Sequence, residues 1–282
     1  QMKTSGKAPS SILRQVIRGI VITVALLIGL AIVFVFVVPR LLSTFWGKDI
    51  PPIDDSNMTL RVINLPVEEN AFYDLKKISQ VVNMDQGPIS NSILDSFIKT
   101  GGWDDQAVTA LLSSNTQALQ FYDAAAQKGK FQLPSHADPN KYKYPGDVPV
   151  EPMSAWREAN RLSTIKAIWL AKQNRGEEAA EEAFKSIIIG DSIERSQSDI
   201  MTYLVGINLK KNGLESLSRI LKLTVINKEK LQEYKQKLDK YDVVDNDTPF
   251  KFEYLYGKNS VMSIVDGDFP LEKEIEVPIG KL

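Results

Sequence analysis

The chain has 282 residues, 34 of them basic and 35 acidic, and contains no cysteine. That length allows one or two domains with cores of ordinary size, and the missing cysteine excludes disulfides, thiolate catalysis and Cys-based metal sites. The near-zero net charge hides an asymmetry: residues 1–40 hold Lys3, Lys7, Arg14, Arg18 and Arg40 with no acid, so the remainder balances at −6 and offers no basic surplus for nucleic acid.

From Gly19 to Val38 the sequence reads GIVITVALLIGLAIVFVFVV, with Thr23 its one clearly polar side chain. Twenty such residues in a helix span about 30 Å, the thickness of a hydrocarbon core. A transmembrane helix over 19–38 is expected, with the lipid bilayer as its partner. The small residues Gly29 and Ala31 suit signal peptidase, but Ile32 to Val38 prolong the apolar stretch, which favours an uncleaved signal anchor. The basic flank sets residues 1–18 as a cytoplasmic tail and places the C-terminal region outside the cytoplasm. The expected location is thus the cell membrane, crossed once, and the absence of cysteine in an exported domain fits a bacterial source.

Residues 39–58, with Pro51-Pro52 and Asp54-Asp55, form a linker. The exported domain covers 59–282 and is open to division into sub-units 59–130 and 153–282. A short extended piece is expected at 60–65, and another at 274–279.

Glu68-Glu69-Asn70 ahead of Ala71, Phe72, Leu75 and Ile78 predicts a helix over 69–82. A second is predicted from Ser90 to Lys99, closed by Gly101-Gly102. A longer one runs from Asp104 through Val108, Leu111, Leu119 and Tyr122 to a left-handed stop at Gly129. Five prolines make 130–152 an irregular loop.

Ser154 is a predicted cap for a helix through Trp156, Leu162, Ile165 and Trp169. After Asn174-Arg175-Gly176 a partner helix carries Ala180, Ala183, Phe184 and Ile187, packed antiparallel on the first. Another helix follows Ser198-Asp199, with Asn212-Gly213 as a weak point, and Asn227 caps a last one reaching Tyr241. The fold class expected is therefore all-α: helical hairpins behind a transmembrane helix.

The stretch LSTIKAIWLAKQNRGEEAAEEAFKSI, residues 162–188, resembles one tetratricopeptide-type unit, with a bulky first helix, glycine at the turn and an Ala-rich second helix. No second copy follows at that family's period, so the likeness implies a hairpin fold and not a regular repeat array. Glu69-Asn70-Ala71-Phe72-Tyr73, Tyr203-Leu204-Val205-Gly206-Ile207 and Glu253-Tyr254 resemble stretches of uncharacterised bacterial single-pass membrane proteins with helical exported domains. In that group the chain usually continues beyond the place of Val277 to Leu282, so a truncated gene is one reading of this end.

No catalytic, cofactor-binding or metal-binding set stands out. His136 is the one histidine and reads as a surface residue, since oxygen ligands alone would have to complete a metal site around it. The pairs Asp54-Asp55, Glu68-Glu69, Asp104-Asp105 and Glu177-Glu178 with Glu181-Glu182 mostly read as helix openings, where negative charge offsets the helix dipole. Glu178 and Glu182 are expected to be exposed and dispensable. Trp156 and Trp169 fall on core stripes, while Trp103 is freer to line a groove. Two functions compete: a helical scaffold binding a cell-envelope protein, and an exported hydrolase of envelope polymers using Asp104, Asp105 and His136. The first would show an open polar and aromatic groove, the second carboxylates gathered in a closed pocket.

Overall fold

The computed structural model describes residues 54–136, 151–241 and 246–265. The tail 1–18, the predicted span 19–38, most of the linker and the extended piece at 274–279 lie outside them. Among the described residues no helix is long and apolar enough to cross a membrane. Residues from Met58 onward form one unit.

That unit is all-α, with no strand among the described residues. Its helices are α1 (Phe72–Val81), α2 (Gly87–Thr100), α3 (Asp105–Ser114), α4 (Thr116–Lys128), α5 (Met153–Lys172), α6 (Gly176–Glu194), α7 (Ile200–Leu223), α8 (Lys228–Leu238) and α9 (Thr248–Val265). The segment expected to be extended, 60–65, pairs with no strand. Side-chain amides hold it instead: Gln132 donates to Ile63 O at 2.5 Å and accepts from Leu65 N at 2.7 Å, and Gln197 donates to Arg61 O at 2.8 Å.

Local chemistry sets most boundaries. Asp104 accepts from the backbone N–H groups of Gln106 and Ala107, both at 3.0 Å, and opens α3. Asp199 and Asn227 cap α7 and α8 in the same way, each satisfying an N–H that the first turn leaves without a helical partner. Gly129, at φ +61°, ends α4 as predicted. The single helix expected from Asp104 to Gly129 is broken, however. Asn115 is buried at the joint, donating to Gln86 Oε1 at 2.8 Å and Leu111 O at 3.0 Å while accepting from Asn83 N at 3.1 Å. An Asn that bonds this much neighbouring backbone competes with the helical ladder.

Four further boundaries differ from expectation. Helix α5 starts at Met153, so Ser154 is not its cap. Helix α6 continues past Ile188 to Glu194, and α7 runs unbroken through Asn212-Gly213. Glu68-Glu69 open no helix: they sit in a turn before α1, where Glu69 pairs with Lys130 at 2.6 Å.

Helix α5 is the axis of the unit, packing against α1, α2, α3, α4, α6 and α7. This is why its period is muddled: Ser163, Thr164, Asn160 and Glu158 are buried beside Leu162 and Ile165. Its first half enters a core with Phe72, Leu75, Tyr122, Phe131 and Trp156; its last turns join Phe184, Ile187, Leu217 and Tyr234 in a second. Trp156 is fully buried, edge-on to Phe72 and Phe131. The first core draws on both sides of the Pro-rich segment, so α1 to α4 share their interior with α5 to α7.

One set of buried polar groups is chained together, as its desolvation demands. Asn212 donates to Asn160, Asn160 to the Tyr122 hydroxyl, and that hydroxyl to Ser186. Burial pushes the Tyr122 phenol up to about 12, so it stays protonated and donating.

Candidate functional site

Lys166 and Trp169 leave α5 one turn apart, and two surface hollows meet at them. One, of about 500 Å³, lies toward α6 and α8 and is lined by Arg175, Glu178, Glu181, Lys185 and Tyr234. The other, of about 250 Å³, lies toward α3 and α4 and is lined by Leu112, Thr116, Leu119 and Gln120. Together they make an open groove across the α5–α6 hairpin, with Trp169 half-buried at its middle.

Four ionisable groups converge at the ridge between the hollows. Lys166 Nζ lies 2.9 Å from Glu182 Oε2 and 4.0 Å from Asp123. Lys185 Nζ lies 2.6 Å from the same Glu182 oxygen and 2.5 Å from Asp123. Burial works against the Lys185 ammonium, but Glu182 and Asp123 outweigh it and hold its pKa above the ordinary lysine value. Lys185 therefore stays charged through the physiological range and is no general base.

Glu182 corrects the sequence reading. It is only 3% exposed, and its second oxygen accepts from Ser163 at 2.9 Å. It lies one turn from Ala179 and Ser186, both buried, so its spacing already put it on the hairpin's inner face. Glu178 is exposed as expected and grips Arg175 at 2.5 Å.

The residues singled out for a hydrolase have separate surroundings. Asp104 caps α3, and Asp105 accepts from Trp103 Nε1 at 2.9 Å. Trp103 stands edge-on to Phe97, with the Lys172 ammonium 5.7 Å from its ring, beside a third hollow of about 570 Å³. His136, expected on the surface, is 1% exposed. Its ring centroid lies 4.4 Å from that of Phe252 on α9, Ser135 Oγ is 3.1 Å from Nδ1, and Asp199 Oδ2 is 3.3 Å from Nε2 but too poorly aligned for a hydrogen bond. Ser135 is buried as well, so this Ser-His-Asp neighbourhood presents no accessible nucleophile. Among the described residues no group of three or more His, Asp and Glu is placed to hold a metal ion.

His136 instead joins the 131–136 segment to α9, and its signature is in pH. Burial lowers its pKa to about 4, more than Asp199 raises it. The unfolded chain takes up the proton near 6.5 and the folded one only near 4, so this stability is present above about 6.5 and is lost as pH falls toward 4. The loss is about 2 kcal/mol by pH 5. Thermal unfolding between pH 7.5 and 5 should show this loss, and His136→Phe should remove most of it; an equal slope in the variant would rule the mechanism out.

The chain matches no protein-family model, no curated protein and no solved structure.

Proposed function

We propose that the chain is a membrane-anchored scaffold: residues 19–38 span the bilayer once, and the helical domain outside the cytoplasm binds a cell-envelope protein. The tetratricopeptide-like α5–α6 hairpin presents the groove, and an extended or helical segment of that protein is the ligand. The observation that carries this reading is the Trp169 groove. It is open, has a half-buried aromatic at its centre, and pairs its nearby charges into a neutral ridge. Such a surface offers an apolar anchor and fixed hydrogen-bonding groups, the composition of recognition sites. Its buried carboxylate, Glu182, is tied to Lys166, Lys185 and Ser163 and is not aimed into the open space.

The test is a photo-reactive residue at Gln120, on the rim, in the full-length chain in its membrane. A discrete crosslinked adduct is expected, lost on Trp169→Ala. Absence of an adduct, or its persistence in the variant, would remove the groove from the account. Fragmentation of envelope polymer by the purified chain, abolished by Asp104→Asn or His136→Ala, would put the hydrolase first. A reporter fused after Leu282 and active only in the cytoplasm would overturn the topology.

A further inference from the structure

Helix α7 buries one face against α5 and α6, through Val205, Leu209, Gly213, Leu217 and Ile220. Its opposite face carries a second apolar line; α9 packs on α7, with Glu253 accepting from Ile200 N, and the line is exposed from Leu204 to Leu221. Ile200, Leu204, Ile207, Lys211, Leu214, Ser218 and Leu221 follow one another at alternating steps of four and three. Leu204 is 51% exposed, Ile207 36%, Leu214 42% and Leu221 47%. The line extends about 31 Å along the helix. Val225, just beyond the end of α7, is 93% exposed, the highest value among the large exposed apolar residues.

A four-three alternation is the pattern of a helix–helix seam. It keeps a narrow stripe facing one partner helix, whereas a broad apolar face suits a flat surface or a lipid layer. Lys211 and Ser218 within the stripe, and Glu215 beside it, would also be badly placed against lipid. The partner is therefore a helix, and the stripe itself says which one.

We propose that two copies of the chain associate through this face, with their α7 helices antiparallel about a two-fold axis near Asn212 and Gly213. In that register Leu204 meets the partner's Leu221 and Ile207 meets the partner's Ser218. Lys211 lays its stem on the partner's Leu214. Glu215 pairs within its own chain with Arg219 at 3.1 Å and more loosely with Lys211 at 3.9 Å; in the dimer each Lys211 ammonium turns to the partner's Glu215, and symmetry repeats the pair. The surface is self-complementary, as a two-fold interface requires. Parallel pairing fails on the same residues, because it stacks Lys211 on Lys211 in one layer of the seam. This face is distinct from the Trp169 groove, so either assignment survives failure of the other.

The absence of cysteine makes the test direct, since introduced thiols are the chain's only ones. Full-length chain carrying Leu204→Cys is mixed with full-length chain carrying Leu221→Cys and oxidised mildly. The mixed disulfide dimer should exceed either homodimer by about tenfold, because two Leu204 positions lie about 25 Å apart along the antiparallel seam. Lys211→Glu on both chains should cut the mixed product severalfold, and adding Glu215→Lys should restore it. Trp169→Ala should leave it unchanged. A Leu204→Cys homodimer equal to the mixed product, or no disulfide at all, overturns the proposal.

Discussion

Replacing Lys210 by methionine should cost about 3 to 5 kcal/mol, although no apolar contact is lost. Lys210 is 8% exposed, and its ammonium lies 2.9 Å from Asp191 Oδ1 and 3.0 Å from Glu194 Oε2. Both carboxylates are buried on α6. Arg195 reaches Asp191 at 2.7 Å from the solvent side, so Glu194 is the more exposed to loss of the lysine. Charges that remain buried without their partner carry the desolvation penalty uncompensated, which makes breaking such a cluster far costlier than an exposed pair. For a unit of this size the loss corresponds to a fall in melting temperature of roughly 10 °C. The triple variant Lys210→Met, Asp191→Asn, Glu194→Gln should recover much of it, because no unpaired charge remains. Melting temperatures of the three proteins decide the point; an unchanged value for Lys210→Met would mean that water reaches the cluster freely.

Lys210 also shows why the sequence was readable in one respect and opaque in another. The α5–α6 hairpin follows from its apolar residues and the turn at Gly176, and the starts of α7 and α8 from their caps, all of which act within a few residues of each other. The Asp199 and Asn227 caps and the Gly129 stop were all legible for that reason. Whether a charge is buried depends instead on what another helix places opposite it. Glu182 reads as an ordinary exposed charge until α5 is set against α6, and nothing beside Lys210 in the sequence marks it as buried until α6 is set against α7. The break at Asn115 likewise depends on Gln86 and Asn83, about thirty residues upstream.

Helix α9 was missed because its residues are apolar nearly all round. Phe252 and Tyr256 are buried while Phe250, Val261 and Met262 are exposed, so no stripe signals its orientation. His136 was misplaced by the same helix, since the aromatic ring that covers it arrives from more than a hundred residues downstream. For the candidate groove, Trp169 was read as core and Trp103 as the free aromatic. Both line hollows, and only Trp169 stands where two hollows meet. Its stripe spacing was sound; what it lacked was the gap that α3, α4 and α8 leave around the end of α5.

The same substitution, glycine to alanine within a helix, should have opposite signs at two positions. At Gly257, in α9, an added Cβ meets nothing within 4 Å. There alanine lowers the entropy of the unfolded chain and suits the helix, so a gain of about 0.5 to 1 kcal/mol is expected. At Gly190 the added Cβ would lie 2.3 Å from Lys210 N and 2.7 Å from Gly206 O, both backbone atoms on α7. Backbone cannot swing aside as a side chain does, so α6 and α7 must separate locally. Such separation disturbs Ile187, Ile193 and Leu209, all buried close by, and it lengthens the reach from Lys210 to Asp191. Overpacking of a dense interior costs about 1 to 3 kcal/mol, and loosening of the charge cluster adds to it. Gly190→Ala should therefore destabilise by about 3 kcal/mol after its propensity gain is subtracted. Gly190→Val should be worse, because the α6–α7 seam has no room for a branched carbon. Denaturant unfolding of the two alanine variants side by side measures both signs. If Gly190→Ala matches Gly257→Ala, the two helices do not approach as closely as their glycines allow, and the seam that buries Lys210 would have to be looser than drawn.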